Sequence, residues 1–285
     1  VRAGDSQVRL DFEAQQEFAE IRDTFNMMIT KLDAEKERKK RDEERKNRML
    51  LEISHDIKTP VSTIKSSANA LEEGLVKSDE LPRYYQMIDR KAGRVDMLVN
   101  ELFQLLKMED RGYTLQIGKT DVCETVRQVC AEYYEEITGQ GLRFLIQIPE
   151  TPAYAGIDRK EFPRVIENLL GNAAKYNQTG MYAAVEVVGR DGKVEISVWD
   201  DGKPIADELR PALFDPFVRG DLARQTNGGT GLGLAIAGKI VEKHGGKLQY
   251  ARREDKNIFT VTLENIEKTR KTTNSTCNSS HHLVR

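Results

Sequence analysis

A histidine followed directly by an aspartate lies in ISHDIKTP, residues 53–60 of a sequence that otherwise reads as a long helix. A histidine side chain is mostly neutral near neutral pH and carries a nucleophilic lone pair. The carboxylate of Asp56 could hold the Nδ1 proton of His55 and leave Nε2 free to attack an electrophile. Because adjacent residues on a helix do not normally face each other, that contact needs a bend or a particular rotamer. The segment alone fits an ordinary solvated histidine equally well.

The residues after Asp56 indicate how the helix is oriented and where it bends. Each helical residue advances by about 100°, so Thr59 shares the face of His55, while Ile57 and Val61 are predicted to pack inward. Pro60 cannot donate a backbone hydrogen bond and crowds the carbonyl four residues earlier. A local bend is therefore expected at Pro60.

A second group of polar residues lies in ENLLGNAAKYN, residues 167–177. Asn168 and Asn172 share one face of a predicted helix, and two neutral oxygens on one face suit Mg²⁺, which takes oxygen ligands and keeps several waters. Lys175 lies one turn further on, where it could act as a point charge for phosphate. An asparagine-rich helix end with a solvated lysine is the alternative.

Two glycine-containing segments extend this chemistry to a nucleotide. Asp200 ends a predicted strand before a glycine turn, and its carboxylate could accept a hydrogen bond from the exocyclic amine of adenine. In NGGTGLGLAIAGKI, residues 227–240, four glycines precede a helix whose free N–H groups could hold phosphates: Gly228, Gly229, Gly231 and Gly233. Neither the P-loop pattern nor a strand-anchored dinucleotide fingerprint is present, so those two kinds of site are excluded.

Composition sets the class of protein. A chain of 285 residues is long enough for about two domains, and 39% hydrophobic with 32% charged residues is a soluble profile. The formal net charge of −2 implies no broad basic face, so a nucleic-acid partner is not favoured. Cys123 and Cys130, seven residues apart, read as apolar fillers on one helix face, and three cysteines in all suit a reducing compartment.

The N-terminal half is predicted to be helical. Apolar residues recur at spacings of three and four between 18 and 32, and the mixed charges of 33–48 favour a solvated helix, so one continuous rod is expected. An apolar stripe follows at Leu50, Ile57, Ile64 and Leu71, with Val61, Ala68 and Leu75 between them. A second stripe runs from Leu81 to Leu105, after a turn at 72–82. Two such helices form a hairpin that is predicted to dimerise into a four-helix bundle.

After residue 110 short β-rich runs alternate with helical ones, which predicts an α/β sandwich that ends near Leu263. The remaining residues are polar and low in complexity, so a disordered tail is expected. His281 and His282 belong to that tail and are read as incidental.

Five segments, in this order, resemble the phosphoacceptor, N, G1, F and G2 boxes of a two-component sensor histidine kinase: ISHDIKTP, NLLGNAAKY, DDGKPI, LFDPFVRGD and GGTGLGLAIA. The first 33 residues also resemble the later part of a HAMP signal-relay domain. The resemblance implies a partial HAMP segment at 1–33, a charged helical linker at 34–48, and a dimerisation and histidine phosphotransfer domain at 49–110. An ATP-binding catalytic domain with the Bergerat fold would cover 111–265, and the tail 266–285.

By this resemblance, ATP bound in the C-terminal domain phosphorylates His55. Asp56 would act as orienter or base, and Thr59 would position water when the protein dephosphorylates its partner. Arg219, with Arg224 as a second candidate, would stabilise charge on the transferred phosphoryl group. The resemblance also implies a nucleotide-binding set: Asn172 with Asn168 for Mg²⁺, Lys175 for the phosphates, Asp200 for the adenine amine, Tyr176 near the base, Gly202 for close approach of adenine, and Gly229, Gly231 and Gly233 as the hinge of the ATP lid.

The sequence departs from the family pattern at Pro204, where the G1 box usually has a second glycine, and the lid 218–229 is short. The implied partners are a second copy of the chain and the receiver domain of a response regulator, and the implied location is the cytoplasmic side of a bacterial cell membrane, attached through an N-terminal transmembrane segment. Motion about residues 107–114 is expected to gate the reaction. Transfer within or between protomers depends on the handedness of the turn at 72–79.

Two other functions fit parts of the sequence. A gyrase-like or mismatch-repair-like ATPase would hydrolyse ATP to drive a clamp. A nucleotide-binding coiled-coil scaffold would relay signals with no phosphoryl transfer. Both alternatives predict ATP binding, but only a histidine kinase predicts acid-labile, base-stable phosphate at His55.

Overall fold

The computed structural model describes residues 16–110, 112–219 and 229–266, with the side chains of 16–19, 42 and 45 left aside. The predictions for residues 1–15, Gly228, Arg224 and most of the lid, and the tail from 267 onward lie outside the described residues. The chain divides after Ala92 into two compact units. The division falls inside a helix rather than near residue 110, and the domain boundaries inferred from the sequence stay a prediction.

One long helix, α1 (Gln16–Glu72), dominates the first unit. The predicted continuous rod is confirmed over these 57 residues, because mixed charges at helical spacing maintain the helix through 33–48 without a core. The helix continues through Pro60, so this proline does not end it, and the bend stays a prediction.

The buried side of α1 differs from the predicted stripe. Within a single chain Met49, Ile53, Pro60 and Ser67 are buried, whereas Val61, predicted to pack inward, is 45% exposed. Residues 53, 60 and 67 repeat at seven-residue steps, so the buried line lies beside the predicted one. Buried Ser67 satisfies its hydroxyl by donating to the carbonyl of Thr63 at 2.8 Å.

The helix ends at a turn, as predicted. Gly74 has a φ of +65°, and its N–H donates to the carbonyl of Leu71 at 3.3 Å, which closes the last turn. Helix α2 then runs from Leu81 to Glu109, so its second half belongs to the second unit.

The second unit is built on a five-stranded mixed sheet in the order β2-β4-β5-β7-β6, with a separate two-stranded sheet of β1 and β3. Strands β2 and β4 are parallel, and the other pairs are antiparallel. The strand bounds are β1 Gly118–Asp121, β2 Arg143–Gln147, β3 Tyr154–Ile157, β4 Tyr182–Arg190, β5 Lys193–Asp200, β6 Lys247–Arg253 and β7 Lys256–Glu264.

Three helices complete the predicted α/β sandwich: α3 (Val122–Gly139), α4 (Pro163–Tyr176) and α5 (Gly233–Lys243). They pack side by side, α3 on α4 and α4 on α5, and each contacts the sheet. Proline at the first position of α4 suits a helix start, since its missing N–H would have no partner there. Strand β5 alternates buried and accessible residues, as a strand covered on one face should.

Both described cysteines are free and buried in α3, which confirms their interpretation as apolar fillers. Burial raises the pKa of the Cys130 thiol to about 12, so this thiol is chemically inert at neutral pH. Among the helices that the structure describes, none contains an apolar stretch of the length that a membrane span requires.

His244, just after α5, is expected to make stability depend on pH. Its Nε2 accepts from the backbone N–H of Asp158 at 2.9 Å, and its Nδ1 contacts the carbonyl of Ile240 at 2.7 Å. Burial lowers the pKa of His244 below its ordinary 6.5, so the unfolded chain takes up this proton first. The contribution of neutral His244 to the free energy of unfolding is complete above about pH 6.5, and it is lost as the pH falls toward the lowered pKa of the folded state.

The measurement is the thermal midpoint of the chain and of His244→Gln across this pH range. The charge of His244 also acts on the Asp158 carboxyl, whose pKa is lowered, so the profiles are compared above about pH 5, where most carboxyl groups are ionised in both proteins and the difference reports mainly on His244. The parent should lose more stability on acidification than the variant; parallel profiles would show that His244 is not protonated on unfolding.

Candidate active site

A cavity of about 1040 Å³ in the second unit is lined by α4, the start of α5, the end of β5 and part of α2. Most of the residues singled out in the sequence meet there, although they lie up to 65 positions apart. The predicted site residues that line it are Asn168, Asn172, Lys175, Tyr176, Asp200, Arg219, Gly229, Gly231 and Gly233.

Asp200 is the buried acidic residue at the end of β5. Its Oδ1 accepts from the side-chain amide of Asn257 at 2.8 Å and from the N–H of Gly202 at 2.9 Å. Burial raises the pKa of this carboxyl above its ordinary value, and these two hydrogen bonds oppose the shift. Because both bonds end on Oδ1, Oδ2 can accept from a ligand amine.

Asn257 orients that carboxylate and was missed in the sequence. Its Oδ1 accepts from the Tyr250 hydroxyl at 2.9 Å and from Arg252 Nη1 at 3.1 Å, which leaves its Nδ2 to donate to Asp200 and to the carbonyl of Lys203. Asn257 lies opposite Asp200 in the pairing of β5 with β7. Strand register was the missing signal, and one sequence does not supply it.

The amide pair on α4 has oxygen to offer a cation. Asn168 Nδ2 donates to the carbonyl of Arg164 at 2.8 Å, so its Oδ1 is the remaining polar atom, and Asn172 lines the cavity one turn later. A β-carbon at Gly233 would lie 2.8 Å from that Oδ1, so glycine lets α5 begin against α4. Among the described residues no group of three or more His, Cys, Asp or Glu could hold a metal.

Positive charge is concentrated beside the amides. Desolvation in the cavity wall, reinforced by Arg94, lowers the pKa of Lys175. Arg219 donates from Nε and Nη2 to the carbonyl of Thr230 at 3.0 and 2.6 Å, which fixes its guanidinium at the cavity edge. Burial raises the pKa of Tyr176, so its phenol stays protonated at neutral pH.

The lid glycines allow close backbone contacts. Gly231 has a φ of +77°, and a β-carbon there would lie 2.8 Å from Cα of Phe217, whose N–H donates to the Gly231 carbonyl at 2.8 Å. A β-carbon at Gly229 would meet the hydroxyl of Tyr176, so a side chain there requires that tyrosine to move. Gly202 does not line the cavity; a β-carbon there would lie 2.8 Å from Asp200 Oδ1. Pro204 lines the cavity at its rim.

The phosphoacceptor candidate belongs to the first unit. The His55 side chain is 81% exposed, and its Nδ1 lies 3.5 Å from Oδ1 of Asp56, a long contact on the side that leaves Nε2 open. The hydroxyl of Thr59 donates to the carbonyl of His55 at 3.2 Å. The predicted contact between these adjacent side chains is therefore present, at the limit of hydrogen-bond distance.

Two family models match the chain. "His Kinase A (phospho-acceptor) domain" covers residues 45–111, and "Histidine kinase-, DNA gyrase B-, and HSP90-like ATPase" covers residues 157–267. His55, Asp56 and Thr59 fall within the first match, and the cavity-lining residues of α4, β5 and α5 fall within the second.

A curated relative, the sensor protein GtcS of Aneurinibacillus migulanus, is 35% identical over 235 residues, which is 82% of this chain and 63% of GtcS. The chain thus spans less than two thirds of that relative. The Acinetobacter baumannii histidine kinase AdeS matches with a TM-score of 0.61 at 24% identity, covering 74% of this chain and 98% of AdeS.

Histidine kinase ThkA, solved in complex with response regulator protein TrrA, matches with a TM-score of 0.66 at 24% identity, covering 84% of this chain and 67% of ThkA. At 24% identity, the similarity to these two structures supports the fold alone. The two family models match this chain in the order of a phosphoacceptor domain followed by an ATPase domain. With the two matched domains in order and GtcS as a relative, the chain belongs to the two-component sensor histidine kinases.

Proposed function

We propose that this chain transfers the γ-phosphoryl group of ATP to His55 and then to an aspartate of a response regulator. The observation that carries the proposal is the meeting of Asp200, the two α4 amides and the cations Lys175 and Arg219 around one cavity. The same cavity offers a buried acceptor and positive charge. An adenine base and a triphosphate need that combination.

Adenine recognition rests on Asp200. A carboxylate at the end of β5, with Oδ2 available, accepts from an exocyclic amine and rejects a carbonyl oxygen. Tyr176 and Phe259 line the same cavity and supply ring surface for a base. Lys175 and Arg219 provide charge for the phosphates, and arginine suits a spread negative charge on a transferred phosphoryl group.

Mg²⁺ fits the α4 amides, because neutral oxygens suit a metal that arrives with the negative charge of the phosphates. Asn168 Oδ1 and the side-chain oxygen of Asn172 would hold it, and the ion would neutralise charge on the phosphate oxygens.

At His55 the Nε2 lone pair forms a bond to the γ-phosphorus while the bond from that phosphorus to its bridging oxygen breaks, and ADP leaves with the electron pair. The Nδ1 proton stays facing Asp56, whose carboxylate stabilises the positive charge on the ring. Most of the rate must come from positioning and charge stabilisation. The phosphoryl group then passes from nitrogen to an aspartate carboxylate of the receiver domain.

A homodimer and a receiver domain are the proposed partners. Exposed apolar side chains on α1 and in the turn after it, among them Leu50, Val61 and Leu75, support a second copy of the helical hairpin as the partner that covers them. The complex of ThkA with a response regulator supports the second partner. Phosphatase activity through a water held by Thr59, the HAMP segment and membrane attachment stay predictions.

The test is incubation of the chain with γ-labelled ATP and Mg²⁺, followed by acid or alkali treatment of the protein. A histidine kinase retains label that survives alkali and is lost in acid, and passes it to an added receiver domain. Release of the label as free phosphate from the start, with none on the protein, would favour the clamp ATPase. ATP binding with neither product would favour the scaffold.

Replacement of Asn257 by alanine is expected to weaken ATP binding about tenfold, because Asp200 loses its orienting donor and keeps a buried, less satisfied oxygen. Preference for ATP over GTP should fall with it. Isothermal titration with both nucleotides measures the effect. Thr260→Ala, on the same strand and paired instead with Ser197, is the matched control. An unchanged ATP-to-GTP ratio in Asn257→Ala would assign Asn257 a purely structural role.

A further inference from the structure

Helix α2 places an acidic side chain in the cavity that the proposed function does not use. Glu101 lines the cavity together with Lys175 and Arg219. Its carboxylate makes a hydrogen bond with the side chain of Thr230, and its Oε2 is buried with no hydrogen-bond partner. A buried carboxylate oxygen without a hydrogen-bond partner costs desolvation free energy, so nearby positive charge must offset that cost.

Three cations provide that compensation. Arg94, Lys175 and Arg219 all act favourably on the Glu101 carboxylate by charge, although burial still raises the pKa of Glu101 above its ordinary value. Two of the three, Lys175 and Arg219, are the residues that would bind phosphate. The carboxylate therefore uses the same positive charge that a nucleotide needs.

Other residues of this α2 segment also contact the α/β part of the second unit. Arg94, seven residues before Glu101 and on the same helix face, donates from Nη2 to the carbonyl of Gly229 at 2.8 Å. Lys107 donates to the buried Glu161 at 2.7 Å. The contacts of Arg94 and Glu101 fall on Gly229 and Thr230, at the end of the ATP lid.

We propose that Glu101 is an internal anion at the phosphate end of the cavity, which ATP must displace in order to bind. This inference rests on the proposed function. A carboxylate and a triphosphate that share the same cations repel each other, so part of the binding energy of ATP is spent on moving Glu101. Withdrawal of Glu101 also breaks its contact with Thr230, so nucleotide binding leaves the bond from Arg94 to Gly229 to hold this part of α2 at the end of the lid.

The experiment compares the full chain with Glu101→Gln, using ATP, ADP and adenosine as ligands in isothermal titration without Mg²⁺. Glutamine keeps the oxygen that accepts from Thr230 and removes the charge. The variant should bind ATP about tenfold more tightly, with a smaller gain for ADP and none for adenosine, because only phosphates meet the carboxylate. Glu109→Gln, an exposed change on the same helix, should match the parent.

Thermal melting of each variant confirms that it is folded before titration. Equal ATP affinity in the parent and Glu101→Gln would overturn the inference alone, and so would weaker binding, which would make Glu101 a contributor to the site. If the folded parent bound neither ATP nor adenosine, the proposed function would fall together with it.

Discussion

Replacement of Asp200 by asparagine is expected to lower the affinity for ATP by about 100-fold and to remove the preference for adenine over guanine, because a hydrogen bond to a buried charged acceptor is lost. The new amide is nearly isosteric with the carboxylate. It has only one acceptor oxygen, and either that oxygen or the added NH₂ group must meet Asn257 Nδ2. If the oxygen meets Asn257, the base faces an NH₂ donor where it needs an acceptor. If the NH₂ group meets Asn257, the base keeps its acceptor, but two buried donors face each other without a partner.

A thermal melting measurement distinguishes this loss of ATP affinity from unfolding of the variant. Burial raises the pKa of Asp200, so loss of the charge removes a desolvation cost, and the thermal midpoint of Asp200→Asn should not collapse. Asp191→Asn is the matched control, since it makes the same change at an exposed turn residue with a φ of +52° that asparagine also tolerates. Titration calorimetry with ATP and GTP measures both proteins. Retained ATP selectivity in a folded Asp200→Asn variant would contradict the assignment of this carboxylate.

Replacement of His55 by glutamine should abolish stable phosphorylation of the protein while ATP affinity stays at the parent value. The acceptor nitrogen is gone, and the nucleotide cavity belongs to the other unit. The His55 side chain is 81% exposed, so its loss should change the free energy of unfolding by less than about 0.5 kcal/mol.

Labelled ATP with gel autoradiography under alkaline conditions measures the retained phosphate. Lys65→Gln, an exposed change on α1 ten residues away and outside ISHDIKTP, should label like the parent. Undiminished label in His55→Gln would move the phosphoacceptor elsewhere in the chain.

The parts of the fold that the sequence predicts well are those with strong periodicity. Helices α3, α4 and α5 and strands β4, β5 and β7 follow from their apolar spacing. Strands β1 and β3 escape this reasoning because each has only four residues and exists through pairing with the other. Strand β6, KLQYARR, carries too many charges to read as a strand, and its pairing with β7 decides its conformation.

The residues of the candidate site also fall into two groups, those that the sequence predicted and those that it missed. Asp200, the α4 amides and the lid glycines stand in short motifs, so their residue types and spacing predicted that they would gather around a nucleotide. Asn257 and Glu101 stand in no motif. Strand register brings Asn257 to the site, and the packing of α2 against the α/β part of the second unit brings Glu101 there. Both placements depend on tertiary structure. Val61 is exposed within one chain, so its predicted inward packing depends on the proposed second copy of the helical hairpin.

The most direct measurement is tandem mass spectrometry of the chain after incubation with ATP and Mg²⁺, digested and analysed under alkaline conditions that preserve phosphoramidates. The predicted result is one added phosphoryl group, on the peptide that contains ISHDIKTP, attached to the His55 imidazole. Nucleotide consumption with that peptide unmodified, or with phosphate on a serine or threonine instead, would contradict the account.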